Sequence, residues 1–336
     1  MKVAMLSPIA WRTPPRHYGP WEQVASNLTE GLVKAGIDVT LFATADSITK
    51  ASLEAVIPQG YEEDQDQDAK VLECLHISNL AEQAGQFDLI HNHFDFLPLT
   101  YSKLISTPIV TTIHGFSSPN IIPVYKKYNS NNHYVSISYA DRSPELNYIA
   151  NIYHGVDTTQ FSFNDKPDDY LLYFGRIHPH KGTVEAIEIA KQSRHRLLIA
   201  GIIQDKTYFK EKVEPCLSND IVFLDAADPE KRNILLRNAL ALLHPINFHE
   251  PFGLSVAEAM LCGTPVIAFN KGSMPELIDH EKTGFLVKDV KEAVEAVLGI
   301  SKIDRHSCHL HSKEKFSIER MVKDYIDVYE QIIHKR

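Results

Sequence analysis

Residues 249–269 read "HEPFGLSVAEAMLCGTPVIAF", in which Glu250 and Glu258 stand eight positions apart and Pro-Phe-Gly follows the first directly. Proline disfavours the helical region for the residue before it, so Glu250 belongs to a loop. The apolar spacing that follows predicts a helix starting around Gly253–Ser255, with Glu258 one turn inside it. Eight helical residues span about 12 Å along the axis. Carboxylates flanking a single glycosidic bond lie about 5–5.5 Å apart in retaining glycosidases and about 6.5–9.5 Å apart in inverting ones. The spacing argues against an acid/base pair at one bond. It favours two contacts near opposite ends of an elongated ligand, with a helix N-terminus between them. The N–H groups of Phe252, Gly253, Leu254 and Ser255 there would form an anion site. An ordinary helix start with acidic residues favoured by the dipole accounts for the same spacing equally well.

Outward from this stretch, short β-type runs alternate with helical patterns. "YLLYFGRI", "HRLLIAGI", "IVFLDA", "ALALLHP" and "TPVIAF" read as strands, separated by helical stretches such as "GTVEAIEIAKQ". The first half repeats the scheme with "KVAMLSP", "DVTLFAT", "FDLIHNH", "PIVTTIHG" and "HYVSIS". Between the first two lies "PWEQVASNLTEGLVKAG", with Pro20 suited to a first helical position and Gly36 to the C-terminal cap. Strand–helix alternation of this kind predicts parallel sheets with helices on both faces. Two consecutive sets predict two doubly wound domains, 1–153 and 154–317, joined around "NIYHGVDTTQF" and facing each other across a cleft. Residues 318–336 form a terminal helix with Met321, Tyr325, Val328 and Ile332 on one stripe. Ligands of open α/β sheets sit beyond the carboxyl ends of the strands, so residues just after strands deserve scrutiny.

The totals exclude several classes. The chain has 336 residues and a net charge of −9. Residues 1–153 carry 10 Lys+Arg against 16 Asp+Glu, and the remainder 24 against 27. Neither half is basic, so no nucleic-acid partner is expected. Four widely spaced cysteines with no CxxC fit reduced thiols in a cytoplasmic protein. "MKVAMLSPIAW" reads as a first strand rather than a signal peptide, and no apolar run approaches the roughly 18–20 residues of a membrane span.

Three further segments bear residues suited to a ligand. In "YFGRIHPHKG", Arg176 and Lys181 leave a strand and Gly182 opens a helix, a pairing suited to a diphosphate. Solvated loop cations are the plainer account of it. The order Lys-Gly excludes a Walker A loop. "TTIHG" places His114 just beyond a strand, where a lone histidine is more often structural. Gly19 in "RHYGPWE" lets backbone approach a ligand before a helix. Three other runs are set aside as metal sites. "EDQDQD" contains Asp-x-Asp twice but sits in a solvated acidic loop. His91 and His93 of "HNHFD" mark cleft or core, and "HSCHLH" near residue 306 is expected at the surface, lacking a second ligand cluster.

Taken together, these segments resemble the retaining glycosyltransferases of family 4, glycosyl transferases group 1, which have the GT-B fold. The resemblance covers nearly the whole chain. Its most specific part is the Glu-x7-Glu arrangement of residues 249–269, and "GRIHPHKG", "IYHGVD", "GSMPELI" and "KTGFLV" match further family segments in order. It implies transfer of a hexose from a nucleoside-diphosphate sugar to a sugar, lipid-linked or small-molecule hydroxyl, in polysaccharide or glycolipid assembly, with no metal or cofactor.

Carried over by position, the resemblance implies that Arg176 and Lys181 neutralise the diphosphate with help from the Gly253 and Leu254 amides. Glu258 would accept from the ribose hydroxyls. Glu250 would lie near the donor sugar, and His114 would contact that sugar from the opposite domain. The terminal helix would return to the first domain. A lipid-linked acceptor would bring the protein to the inner membrane surface, for which the acidic first half offers no electrostatic support.

Two departures stand out. The first loop has Gly19-Pro20 where the family often has two glycines, and proline offers no N–H. Asp225 stands where relatives commonly have glycine. A nucleotide-sugar-binding protein without transfer, and an epimerase or phosphorylase on the same fold, are the alternative readings.

Overall fold

The computed structural model describes residues 1–16, 19–64, 66–115 and 118–334. The chain divides into two compact units, Met1–Gly155 together with Ile318–Arg336, and Val156–Ser317. The division falls just beyond the expected 153/154 junction, where Val156 bridges Ser317 in parallel.

The first unit holds strands β1 (Lys2–Leu6), β2 (Asp38–Phe42), β3 (Ser52–Glu54), β4 (Leu89–Asn92), β5 (Ile109–Ile113), β6 (Asn132–Ser136) and β7 (Tyr148–Asn151). They form one parallel sheet in the order β3-β2-β1-β4-β5-β6-β7. Its helices are α1 (Pro20–Lys34), α2 (Ala69–Gln83) and α3 (Ile122–Lys127). Side chains alternate across a strand, and both faces of β1 are buried. Val3 and Met5 pack with Val24, Leu28 and Leu32 of α1, whereas Ala4 and Leu6 pack with Ile77 and Leu80 of α2. That is why the strands read as continuous apolar runs rather than alternating ones.

Local signals set the helix ends. Pro20 opens α1 after Gly19, and Gly36, at φ 84°, donates its N–H to Val33 O just past the helix. In the acidic loop, Asp68 caps α2 by accepting from the Lys70 and Val71 amides.

Glu22, in the first turn of α1, is 3% exposed and accepts from the Trp11 amide at 3.3 Å. Burial pushes its carboxyl up to about 7, with that backbone hydrogen bond opposing. The native state therefore binds this proton more tightly than the unfolded chain, whose glutamate titrates near 4.3. Stability contributed by the neutral form is complete below about pH 4.3 and is lost as pH rises through 7, by on the order of 3 kcal/mol. Glu22→Gln is expected to flatten the decline between those values in pH-dependent chemical denaturation. An unchanged slope would show that Glu22 is ionised at little cost.

The second unit holds β8 (Leu171–Phe174), β9 (Leu197–Ala200), β10 (Ile221–Phe223), β11 (Ala241–His244), β12 (Val266–Phe269) and β13 (Gly284–Val287). They form a parallel sheet in the order β10-β9-β8-β11-β12-β13. Its helices are α4 (Thr183–Ser193), α5 (Lys206–Tyr208), α6 (Pro229–Asn238), α7 (Leu254–Leu261), α8 (Met274–Leu277), α9 (Val290–Leu298) and α10 (Arg305–Phe316). In both sheets the strand order reverses beside the first strand, at β1/β4 and at β8/β11, creating a crevice at the strands' carboxyl ends. The last helix, α11 (Ile318–His334), packs Met321, Tyr325, Val328 and Ile332 into the core of the first unit.

Two details correct or explain the sequence reading. The "HSCHLH" run lies on α10 and is a surface segment on one side only: His306, Ser307 and Leu310 are exposed, while the inner face of the helix meets the rest of the unit. Cys308 is buried, and the His309 and His311 rings are hydrogen-bonded to Leu261 O and Leu277 O. Asp225 has φ 62° and accepts from its neighbour's amide, Ala226, through Oδ1. Aspartate tolerates this left-handed backbone better than most side chains.

Candidate functional site

The β8/β11 crevice of the second unit gathers most of the singled-out residues. Arg176 leaves β8, donating from Nη1 to Gln204 Oε1 at 2.9 Å, while its own carbonyl accepts from Tyr173 OH. The chain then turns at Gly182, where φ is 74° and a Cβ would lie 1.9 Å from Pro245 O. Only glycine permits both that backbone and that approach. The loop leaving β11 is thereby held against the loop carrying Lys181, with Asn247 N donating to His180 O at 2.7 Å.

This packing brings Lys181 Nζ to 2.5 Å from Glu250 Oε2, with the two side chains 17% and 13% exposed. The ammonium also lies 4.6 Å from the Phe248 ring centroid. The backbone of 250–252 is fixed from the far side. Ser273 N donates to Glu250 O at 2.9 Å, and Ser273 Oγ donates to Phe252 O at 2.6 Å. The Phe252 side chain is buried edge-on against Phe316, so it is turned into the core rather than toward the crevice.

Gly253 caps α7 with φ 96°. The first ladder bond of α7 is donated by Val256 to Gly253 O, so the amides of Gly253, Leu254 and Ser255 precede the helical ladder. A Cβ on Gly253 would lie 3.7 Å from Glu250 Cγ, which puts the helix N-terminus beside the Lys181–Glu250 pair.

Glu258 lies on α7 and faces elsewhere. Its Oε1 is 3.2 Å from Arg232 Nη1 of α6, and that guanidinium stacks 5.0 Å over Phe161. Burial raises the Glu258 carboxyl, and Arg232 opposes this. Each glutamate thus has its own cation, in keeping with separate duties.

Arg232 escaped sequence reasoning, since "EKRN" in a helix gives no reason to choose one cation. His244 escaped too. It ends β11, is 6% exposed, and its Nε2 lies 3.9 Å from Glu250 Oε2 with no hydrogen-bond partner. Burial pushes its imidazole down to about 4, against Glu250 and with Lys181.

Gly19 and His114 lie in the first unit. Gly19 has φ 152°, and a Cβ there would meet Glu22 Oε2 and Pro15 Cβ at 2.9 Å. His17 and Tyr18, in the same loop, lie outside the described residues.

His114 belongs to a buried row of imidazoles at the carboxyl ends of β4 and β5. His114 Nε2 is 2.9 Å from His93 Nδ1, and its Nδ1 is 3.4 Å from His154 Nε2. Trp21 stacks on it at 5.4 Å between centroids. His91 is hydrogen-bonded to Tyr329 OH and Thr112 Oγ1 at 2.5 and 2.7 Å. Burial, with the neighbouring imidazoles, holds His91, His93 and His114 well below the ordinary histidine range. The pair set aside as cleft or core is core, and it supports His114 from behind.

Comparison with known proteins agrees with this architecture. The model for "Glycosyl transferases group 1" matches residues 157–313, and that for "Glycosyltransferase Family 4" matches residues 21–160. An uncharacterized glycosyltransferase of Methanocaldococcus jannaschii is 22% identical over 98% of either chain. Sucrose-phosphate synthase from Thermosynechococcus elongatus superposes with a TM-score of 0.82 at 18% identity, covering all of both chains. Anabaena HepE in complex with UDP-glucose superposes with a TM-score of 0.72 at 18% identity, over 98% of this chain and 100% of that one.

Proposed function

Because this chain belongs to the glycosyltransferases of group 1, family 4, we propose that it transfers a hexose from a nucleoside-diphosphate sugar to a hydroxyl acceptor with retention of configuration. The observation that carries the reading is the Lys181–Glu250 pair beside the α7 N-terminus, at the point where the β8/β11 strand order reverses. As the bond from sugar to phosphate breaks, negative charge grows on the leaving diphosphate and positive charge on the sugar. Lys181, Arg176 and the Gly253 and Leu254 amides answer the first, and the Glu250 carboxylate supports the second. Glu250 is a positioning and electrostatic group here, not a nucleophile. Glu258, paired with Arg232 at 3.2 Å, takes the ribose hydroxyls. For His114 to contact a ligand, one of its two imidazole neighbours, His93 or His154, must release a ring nitrogen.

The acceptor is a sugar, lipid-linked or small-molecule hydroxyl. Among the described residues no helix is long and apolar enough to cross a membrane. Since HepE was solved with UDP-glucose, UDP is the first nucleotide to try. In a thermal-shift panel of UDP, GDP and ADP, one is expected to raise the melting temperature, and the matching sugar donor should then be hydrolysed slowly. No shift with any of the three would overturn the reading. Because protein cations and backbone amides meet the leaving charge, EDTA is expected to leave that donor hydrolysis unchanged. A loss beyond tenfold, restored by magnesium or manganese, would show that a metal carries the diphosphate instead.

A further inference from the structure

His244 occupies an unusual position for an uncharged group. It is buried at the end of β11, its Nε2 has no hydrogen-bond partner, and the nearest anion is Glu250 Oε2 at 3.9 Å. A buried polar atom left without a hydrogen bond is destabilising, and such an atom at a functional crevice calls for an explanation. The explanation lies in what Lys181 must do. In the structure its ammonium is committed to Glu250 at 2.5 Å. A diphosphate arriving between the α7 N-terminus and the Arg176 loop competes for that same ammonium. If Lys181 turned to the phosphate with nothing in its place, Glu250 would remain a largely buried carboxylate without a partner, an arrangement that costs several kcal/mol.

We propose that His244 is the positioning residue that takes over Glu250 when Lys181 moves to the diphosphate, its Nε2–H donating to Glu250 Oε2 and holding the carboxylate toward the donor sugar. Closing 3.9 Å to hydrogen-bond distance requires a shift of about 1 Å, within the reach of a glutamate side chain. The imidazole is suited to the task because it is neutral in its buried site, being pushed down to about 4. A neutral donor adds no cation to compete with Lys181 in the free protein, yet can still bind the carboxylate once Lys181 has left. The handover ties arrival of the diphosphate to orientation of the group facing the sugar. It rests on the reading that Lys181 binds the donor's diphosphate.

The test uses the full chain and whichever of UDP, GDP and ADP stabilises it, together with the matching nucleoside, by titration calorimetry. His244→Phe is expected to weaken the nucleoside diphosphate by about tenfold or more and to leave the nucleoside unchanged, because only the former draws Lys181 away. His244→Gln, whose amide nitrogen can stand near the same place, is expected to restore most of the affinity. Adding Glu250→Gln to His244→Phe removes the stranded carboxylate and is expected to recover much of the loss, a coupling that a merely structural histidine would not show.

Equal losses for nucleoside and nucleoside diphosphate, or no loss for either, would overturn the handover. So would additive effects of His244→Phe and Glu250→Gln. Should His244→Phe fail to fold, the calorimetry of His244→Gln against His244→Leu decides by the same comparison. Failure of the wild-type chain to bind any nucleoside diphosphate is a different result and would overturn the transferase reading itself.

Discussion

Lys181→Ala is expected to weaken binding of the preferred nucleoside diphosphate by about 100-fold while leaving the nucleoside's affinity unchanged. Truncating one partner of a buried, hydrogen-bonded charge pair costs about 2–5 kcal/mol, and 100-fold corresponds to about 2.7 kcal/mol. The size follows from burial. Lys181 and Glu250 are 17% and 13% exposed, far from the open surface where ion pairs contribute about 0–1 kcal/mol.

The substitution has a second consequence that must be separated from the first. It removes the cationic partner of Glu250, a loss of about 3–5 kcal/mol when a buried pair is broken outright, reduced to the extent that His244 takes over the carboxylate. The double variant Lys181→Ala with Glu250→Gln is therefore expected to regain most of the melting temperature without regaining diphosphate affinity. Arg176→Ala should act in the same direction with a smaller effect, because its guanidinium also holds Gln204. Equal losses for nucleoside and nucleoside diphosphate in Lys181→Ala would place the phosphate site elsewhere.

Much of this arrangement was legible before the fold was in view, and the reason is locality. Pro251 forces Glu250 out of the helix, Gly253 starts α7, and the spacing to Glu258 then follows from helical geometry. The parallel, doubly wound scheme follows with little more, since alternating strands and helices allow few topologies. What stayed hidden depends on contacts between distant residues. Lys181 meets Glu250 across 69 positions because β8 and β11 are neighbours in the sheet. Arg232 reaches Glu258 only through the packing of α6 on α7.

The buried imidazoles show the same limit from another side. Taken singly, His91, His93, His114 and His154 are each an unremarkable histidine. Pairing of β4 with β5, and the loop after β7, set them in a row. The short strands β3, β7 and β13 escaped a strand reading too, because three or four residues at a sheet's edge carry too little apolar pattern to be distinguished from loop.

Deleting residues 318–336 is expected to unfold the first unit while the second keeps its structure. The helix α11 follows the whole of the second unit in sequence, yet Met321, Val322, Tyr325, Val328, Tyr329 and Ile332 are buried in the first unit's core with Val3, Leu28 and Leu41. At about 1.5–3 kcal/mol for each buried apolar side chain, these six contribute on the order of 10 kcal/mol. That is comparable to the entire stability of an ordinary domain, about 5–15 kcal/mol. Polar ties add to the loss: Tyr329 OH is hydrogen-bonded to His91 at 2.5 Å and Tyr325 OH to Thr112 at 2.6 Å. Removing the helix would leave those groups facing an opened core, and would loosen β4 and β5 at the ends that carry His93 and His114. Limited proteolysis of the truncated chain should spare a fragment near residues 156–317 and digest the rest, with loss of the near-ultraviolet tyrosine signal. A single substitution, Val328→Asp, tests the same interface with the chain length unchanged and should lower the melting temperature by several degrees. A truncated protein that melts and resists protease as the full chain does would mean that the first unit's core closes without α11.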